Sequence, residues 1–594
     1  MEILCLESGI NKDIQQSGLQ FGFTEGRSPT MASLILTEAI SEAKATRTPL
    51  YVASLDAKKA FDVVDHDRLR IKLFNTGINR RIWDIIDDLY VGGQEVIRIG
   101  GMHSRQYAVR QGVKQGGILS PSLYKLYISD LLEGLREARM GLTIGSIYLG
   151  TPACADDVVL ASSSTAELNG MIAVNDGYAE RNRYEIHCNP DPKLSKSSVT
   201  ALHLPRSCLQ EDMEFKIRGI PLPVTPNFTH LGLTWRQGAI NPDTQKHVTS
   251  ARRAAYALLG AGLHGRNGLD PAASFRLITL YVIPTLLYGL EATVLRRSDI
   301  DNMETFYRGL LRQVQSLPVS TAKEAVYLLM GTIPIEALIH QHILTFFGSI
   351  TRLEDESPLR MLAVRQLALT DHRPRSWFRY VQDIAQQYDI NLHSALAVSW
   401  PKEGWKLYCK TTVRDHWQVK LLSAAASKST LSHLLLSLVD RGPHLAWGVC
   451  QGSPFRARAA TTRARMLVGR CGLQGDRWRA RVGEDTSCPL CAFHIEDIEH
   501  MLITCTELHA VRGDTLHRIK EIWRSGNVAP PSTAAELTQA ILNGDKYRGG
   551  CGIPVMLKNR HIVGDAHRLS SAFCDKMYKA RDQLISDKIM STLE

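Results

Sequence analysis

Several features are scarce or missing in this chain, and each absence narrows what it can be. The opening MEILCLESGI has no basic segment followed by an apolar core and a small-residue cleavage site, so no secretory signal is visible. The longest apolar window, LITLYVIPTLLYGL at 277–290, holds Pro284 and Gly289 and is short for a bilayer crossing. Internal repeats and low-complexity tracts are absent. With 44% hydrophobic and 22% charged residues, this argues against wholesale disorder. The 12 cysteines are scattered through 594 residues without a disulfide framework, a usage that fits thiols or a metal site in a reducing compartment. The expectation is a soluble intracellular protein, nuclear or cytoplasmic, without a membrane partner.

What the chain does have is length and positive charge. Its 594 residues allow several domains. A net charge of +10 and a pI near 8.9 favour an anionic partner, nucleic acid being one.

Residues 1–235 alternate strand-like and helix-like patterns, which implies an α+β or α/β layer architecture. PLYVASLD at 49–56 reads as a strand ending in an aspartate. In the following stretch Asp65 reads as a helix N-cap and Gly77 as a stop. Ser120 reads as the cap of a helix with Pro121 in its first turn and Leu123, Leu126, Tyr127, Leu131 and Leu135 on one face. From about residue 245 the pattern turns helical, with a Gly-rich break at 262–268. The expected segments are 1–235, 236–345, 346–485, 486–510 and a helical tail at 511–594.

TPACADDVVLASS, residues 151–163, sets Asp156 and Asp157 side by side between the apolar runs IYLG and VVLA. Neighbouring residues on a strand point to opposite faces, so two adjacent carboxylates share a site only where the strand turns. A hairpin between the two runs, with the dyad near its tip, is therefore expected. Close carboxylates repel unless a cation neutralises them, and magnesium prefers such oxygens. Asp56, at the end of another apolar run, is the expected third member. Three such carboxylates can hold two ions that clamp the attacking and leaving oxygens of a phosphoryl transfer, which is nucleotidyl-transfer chemistry. By contrast, Asp87 and Asp88 in DIIDDLY fall on a helix that can turn them to solvent.

CPLCAFHIEDIEHMLITC supplies Cys488, Cys491, His500 and Cys505 at the spacing of a closed structural zinc site, with His494 as a lesser alternative. Just upstream, residues 455–482 carry eight arginines and one aspartate. Arg456, Arg463, Arg470 and Arg477 recur every seven residues, so they read as one cationic helix face for nucleic acid or as a plain solvated face.

Taken in order, SLDAKKAFD, GVKQGGILSPSLYKLY and ACADD resemble the palm motifs of reverse transcriptases, and within that class the non-LTR retrotransposon (LINE) lineage. QFGFTEGRSPTMA upstream, and NPDPKLSKSSVTAL and FTHLGLTW downstream, extend the resemblance over residues 20–235. It implies an α+β fold with partial fingers and an antiparallel palm sheet in 1–235, a thumb-like helical region to 345, a helical linker with an Arg-rich end to 485, and a zinc knuckle at 486–510. It also implies RNA-directed DNA polymerase activity with two magnesium ions and a structural zinc. RNA template, DNA primer or target DNA, and deoxynucleoside triphosphates would be the partners.

Residue by residue, the resemblance makes Asp56 and Asp156 the principal metal ligands, with Asp157 completing the set and carbonyls near Ala57 assisting. Phe61 matches the aromatic gate against the ribose 2′-OH, a core phenylalanine being the other reading. Gln115 and Gly116 match residues beside the nascent base pair, and Gly116 with Gly117 allows close backbone approach. Arg27 matches a phosphate contact, against a solvated arginine. Lys196 matches a lysine near the leaving pyrophosphate, with Lys193 competing. Leu231 and Gly232 match the tip of the primer-grip hairpin.

The chain departs from the pattern where Cys154 stands in place of an aromatic residue and Thr24 in place of arginine. Few residues precede QFGF, so the chain reads as the C-terminal part of a larger reading frame. A silent, nucleic-acid-binding remnant of such an element is the alternative expectation.

Overall fold

The computed structural model describes residues 17–208, 213–239, 241–263, 268–369, 376–398, 400–436, 441–450, 452–476 and 485–593. Two compact units emerge. The first comprises residues 1–244, 289–295 and 340–409, and the second 245–288, 296–339 and 410–594. The expected linker at 346–485 therefore divides between them, its first part packing with the palm sequence.

The first unit is built on a four-stranded antiparallel sheet formed by β1 (Leu50–Leu55), β2 (Ala153–Cys154), β3 (Asp157–Ser162) and β4 (Ser198–His203), in the order β4-β1-β3-β2. The strands read as continuous apolar runs because both faces are buried. Tyr51, Ala53 and Leu55 enter one core with Val158, Leu160, Val199 and Ala201. Leu50 and Val52 enter another with Val159, Ala161 and Leu202. The first core is closed by α3 (Ser120–Glu137) and α4 (Thr165–Arg181). The second is closed by α1 (Pro29–Thr46) and the hairpin of β5 (Asn227–His230) and β6 (Leu233–Arg236).

Local signals mostly act as the sequence implies. Asp65 caps α2 (His66–Asn75) by accepting from the Arg68 N–H at 2.9 Å, and Gly77 follows that helix with φ +72°. The five apolar residues named for α3 are all buried. Ser120, however, is the first residue of α3 and not its cap; its hydroxyl donates to the Lys114 carbonyl at 2.6 Å, pinning the loop before the helix. The IYLG run also differs from expectation: Ile147–Tyr148 pairs with Thr143–Ile144 in a separate hairpin, and β2 alone precedes the dyad. Asp88 is exposed, while Asp87 is ion-paired with Arg70.

The second unit is helical. It includes α5 (Thr244–Gly260), α6 (Arg297–Val314), α7 (Pro454–Leu467), α8 (Thr515–Ser525), α9 (Ala534–Asn543) and the long α10 (Arg560–Leu593). Residues 271–292 are long and apolar enough to cross a membrane by length and composition alone; 44% of that window is buried inside the protein. Most of the Gly-rich break, 264–267, lies outside the described residues.

Candidate active site and metal cluster

The strand register brings the carboxylates together. Leu55 of β1 lies opposite Val158 of β3, so the next step along places Asp56 beside Asp157. Cys154 pairs with Asp157 across the hairpin, leaving Ala155 and Asp156 as its tip. The dyad is thus split between a turn and a strand start, which lets neighbouring residues serve one site. The charges act on one another. Burial and the Asp56 charge hold the Asp156 carboxyl above the usual range. Burial, Asp156 and Asp56 do the same to Asp157. Burial and the two aspartates together push the Cys154 thiol up to about 11, so it stays a neutral neighbour. Three carboxylates this close, two of them held above their usual range, form a site able to hold hard cations.

The residue that holds this turn has no role in the sequence motifs. Ala155 sits at φ +58°, a left-handed conformation that costs a non-glycine residue ~1 kcal/mol or more. Buried Gln20 clamps it from both sides: its Oε1 accepts from the Ala155 N–H at 2.8 Å, and its Nε2 donates to the Ala155 carbonyl at 3.3 Å. The same Oε1 accepts from the Gly22 N–H at 2.9 Å. Gly22 must lack a side chain, because a Cβ there would lie 2.3 Å from the Ala155 nitrogen. Phe21 N–H donates to the Ala153 carbonyl and Ala153 N–H to the Leu19 carbonyl, at 2.8 and 2.9 Å. QFGF is therefore a strap across the hairpin that carries the aspartate dyad. The available signal was a lone amide between Leu19 and Phe21.

The other sequence-derived positions fall into three groups. Near the carboxylates, the Lys196 Nζ lies 3.7 Å from Asp56 Oδ2, and both line a cavity of about 480 Å³ shared with Lys58, Lys59, Gln111 and His187. The competing Lys193 makes no such contact; its N–H donates to Asp191 Oδ1. The Asp56 carbonyl is already taken by the His187 N–H at 2.7 Å. Phe61 is half-buried and stacks on Tyr124, ring centroids 4.5 Å apart.

In the second group, Gln115 donates to Asp62 Oδ1 at 2.9 Å and lines an adjoining cavity of about 580 Å³. Gly116 follows it with φ +82°, open to a close approach. Leu231 and Gly232, φ +51° and +81°, form the two-residue tip between β5 and β6, in the primed-turn geometry favoured by hairpins.

In the third group the structure shows partners that the sequence did not suggest. Arg27 spends one guanidinium nitrogen on the carbonyls of Ser17, Gly18 and Gln20, at 2.9, 2.9 and 3.1 Å, so it braces the strap that carries Gln20. Among the described residues, the heptad arginines share no solvent face. Arg463 is fully buried, donating to the Leu542 and His567 carbonyls and to Ser571 Oγ at 2.9, 3.1 and 3.2 Å. Arg470 donates to the Ser320 carbonyl at 3.2 Å, and Arg477 lies outside the described residues.

In the second unit, Cys488, Cys491, His500 and Cys505 are buried, with one ligand atom from each within 4.8 Å of all the others. Cys488 Sγ and Cys505 Sγ are 4.0 Å apart, and Cys491 Sγ lies 3.4 Å from His500 Nε2. These are close to the ~3.7 Å edges of a tetrahedral thiolate and imidazole site. His500 Nδ1 lies 3.1 Å from Thr504 Oγ1, a partner that leaves Nε2 to face the sulfurs. His494 is exposed and outside the set. Glu496, between the ligands, is buried against Arg581 of α10 through two bonds of 2.6 and 2.8 Å. The donors form a closed cluster able to hold a metal ion, tied to the long helix through Glu496 and Arg581.

Turn, sheet and three carboxylates together have the arrangement that a palm-type nucleotidyl-transfer site requires. Residues 5–196 match the family model described as reverse transcriptase (RNA-dependent DNA polymerase). The chain is 25% identical over 309 residues to the "Retrovirus-related Pol polyprotein from type-1 retrotransposable element R2" of Popillia japonica, covering 50% of this chain and 48% of that protein. It is 31% identical over 169 residues to the Pol polyprotein of the type-2 element R2DM of Drosophila melanogaster, covering 28% and 15%. It is 23% identical over 269 residues to the "RNA-directed DNA polymerase from mobile element jockey" of Drosophila funebris, covering 44% and 28%. The chain spans about half the length of the first of these and less of the others. The chain is thus similar over residues 5–196 to the reverse-transcriptase family, and over longer stretches to proteins of the R2 and jockey elements.

Proposed function

We propose that this chain is the polymerase-bearing part of a non-LTR retrotransposon protein, and that it extends a DNA 3′-OH on an RNA template using deoxynucleoside triphosphates. The observation that carries this reading is the convergence of Asp56, Asp156 and Asp157 at adjoining strand ends, on a turn clamped by Gln20. Two magnesium ions held there would supply the charge stabilisation of an in-line phosphoryl transfer. The three carboxylates bind and space the cations. Lys196, beside Asp56 and the cavity, meets the triphosphate. Phe61, braced by Tyr124, presents an aromatic wall to the sugar. Gln115 and Gly116 border the nascent pair, and the Leu231–Gly232 tip steadies the primer. In this reading 1–235 is partial fingers and palm, 236–345 thumb-like, 346–485 a helical link and 511–594 a helical tail. The Cys488–Cys505 cluster is a structural zinc knuckle. The protein works inside the cell, where its template and target DNA are.

Magnesium-dependent primer extension on poly(rA)/oligo(dT) with the purified chain tests the proposal. Extension by the chain and none by Asp156→Asn supports it. Equal signals from the two leave the chain a nucleic-acid-binding remnant.

A further inference from the structure

A groove of about 1010 Å³ lies wholly within the second unit, between α7, α8 and α10. Its apolar lining includes Val449, Ala459, Ile522, Leu569 and Ala572. Its rim carries Arg456, Arg458, Arg518, Arg568, Lys576 and Lys579, six cations against the three acids Glu521, Asp565 and Asp575. Each acid already has a cation: Glu521 pairs with Arg524, Asp565 with Arg568 at 2.5 Å, and Asp575 with Lys579 at 2.6 Å. The groove therefore keeps a surplus of three positive charges, and its acids are not free to act as a cation site.

Two aromatic side chains mark its length. Phe455 is 76% exposed at the start of α7, with the Arg458 guanidinium over one face of its ring at 4.7 Å. Past Arg458, Asp575 and Lys579 the groove runs on into a second depression of about 460 Å³, which Tyr578 lines. An elongated cationic groove with an aromatic at each end suits a flexible polyanion that offers flat rings to stack. An acidic peptide would match the charge but leave the aromatic faces unused. Of the apolar lining residues only Phe455 is a large exposed side chain, too little apolar surface for a lipid interface.

We infer that this groove binds single-stranded nucleic acid, with phosphates along the Arg456, Arg518 and Lys576 rim and a base on the open face of Phe455. The site differs from the heptad stripe suggested by the sequence. It draws on three helices, and of the arginines it takes from α7, Arg456 and Arg458 stand at the helix start while Arg463 stays buried.

The test uses the full zinc-loaded chain carrying Asp156→Asn, without magnesium or nucleotides, so the palm's chemistry plays no part. Anisotropy of fluorescein-labelled 12-mers of oligo(U) and oligo(dT) is followed across a salt series. Phe455→Ala should weaken binding at least ~10-fold with the salt slope unchanged. Arg518→Ala with Lys576→Ala should weaken it and flatten the slope by about 1.4, or ~0.7 for each lost phosphate contact on a single strand. Oligo(U) carrying 4-thiouracil should cross-link to the peptide containing Phe455. In an otherwise wild-type chain, the same substitutions should leave extension of a pre-annealed primer–template unchanged. Unaltered affinity and slope in both variants, with zinc content intact, would overturn the inference. So would displacement by polyglutamate combined with insensitivity to Phe455→Ala, which would make the occupant an acidic peptide. A chain that fails in primer extension but shows these binding losses keeps the groove and loses the palm reading.

Discussion

The palm turn and the Cys/His cluster both gather ligand atoms of one kind, but they do so in opposite ways. Asp56 lies a hundred residues before Asp156, and only the register of β1 on β3 unites them. Asp56 lines a cavity, and its charge helps hold the carboxyls of Asp156 and Asp157 above their usual range. The four cluster donors come from eighteen consecutive residues, are buried, and are backed by Thr504 and by the Glu496–Arg581 pair. An open, mutually repelling set suits exchangeable ions and chemistry; a closed set suits a fixed structural ion. The same kind of substitution should therefore act oppositely at the two sites.

The largest expected effect is the loss of activity in Asp156→Asn, roughly 10³-fold or more in primer extension. In metal-free buffer the variant should melt no lower than the parent, because one repelling charge has gone; calorimetry checks this. Cys488→Ser should do the reverse, losing zinc and on the order of 3–5 kcal/mol of stability in denaturant titrations, since metal binding is coupled to folding. Unchanged zinc content in that variant would remove the cluster from the account.

Next come the buried arginines. Arg581→Ala strands Glu496 and should cost ~3–5 kcal/mol. Arg463→Ala should cost a similar amount by leaving the Leu542 and His567 carbonyls without their donor, whereas Arg456→Ala on the surface should stay within ~0.5 kcal/mol. Equal urea midpoints for the Arg463 and Arg456 variants would restore the heptad stripe.

A smaller effect is expected at the strap. Gln20→Leu should slow extension ~10–100-fold by loosening the turn while leaving template binding in place. Ala155→Gly should recover part of the rate, because glycine holds φ +58° without the clamp. No rescue would mean that Gln20 acts only on folding.

The mildest effect is one of pH. Burial first, then Arg463, hold the His567 imidazole down to about 4. Its depressed folded pKa means the unfolded chain takes up the proton first as pH falls. The stability from the neutral ring is complete above about 6.5 and is lost between there and about 4. His567→Gln should flatten the melting temperature against pH in that window.

How far the sequence could be read depended on how local the physics was. The three aspartates were legible because apolar strands ended in carboxylates, and the cluster because its spacing is short. The Asp65 cap was equally local. The roles of Gln20 and Arg27 were hidden because their partners are main-chain atoms, which carry no sequence signature. Arg463 misled for a related reason. Seven-residue spacing says which residues share a helix face, but whether that face meets water or the carbonyls of α9 and α10 is decided by packing. Ser120 looked like a cap and serves the loop before its helix instead. IYLG looked like half of the catalytic hairpin, but it pairs within its own turn, a choice of partner that alternation alone does not fix.

One experiment sets the open site against the closed one. The purified chain is passed by gel filtration into magnesium-free buffer, its zinc is counted by mass spectrometry, and primer extension is measured before and after magnesium alone is returned. About one zinc per chain is expected throughout, with no extension without magnesium and full recovery on its return. Extension that needs added zinc, or that never rises above the Asp156→Asn control, would contradict it.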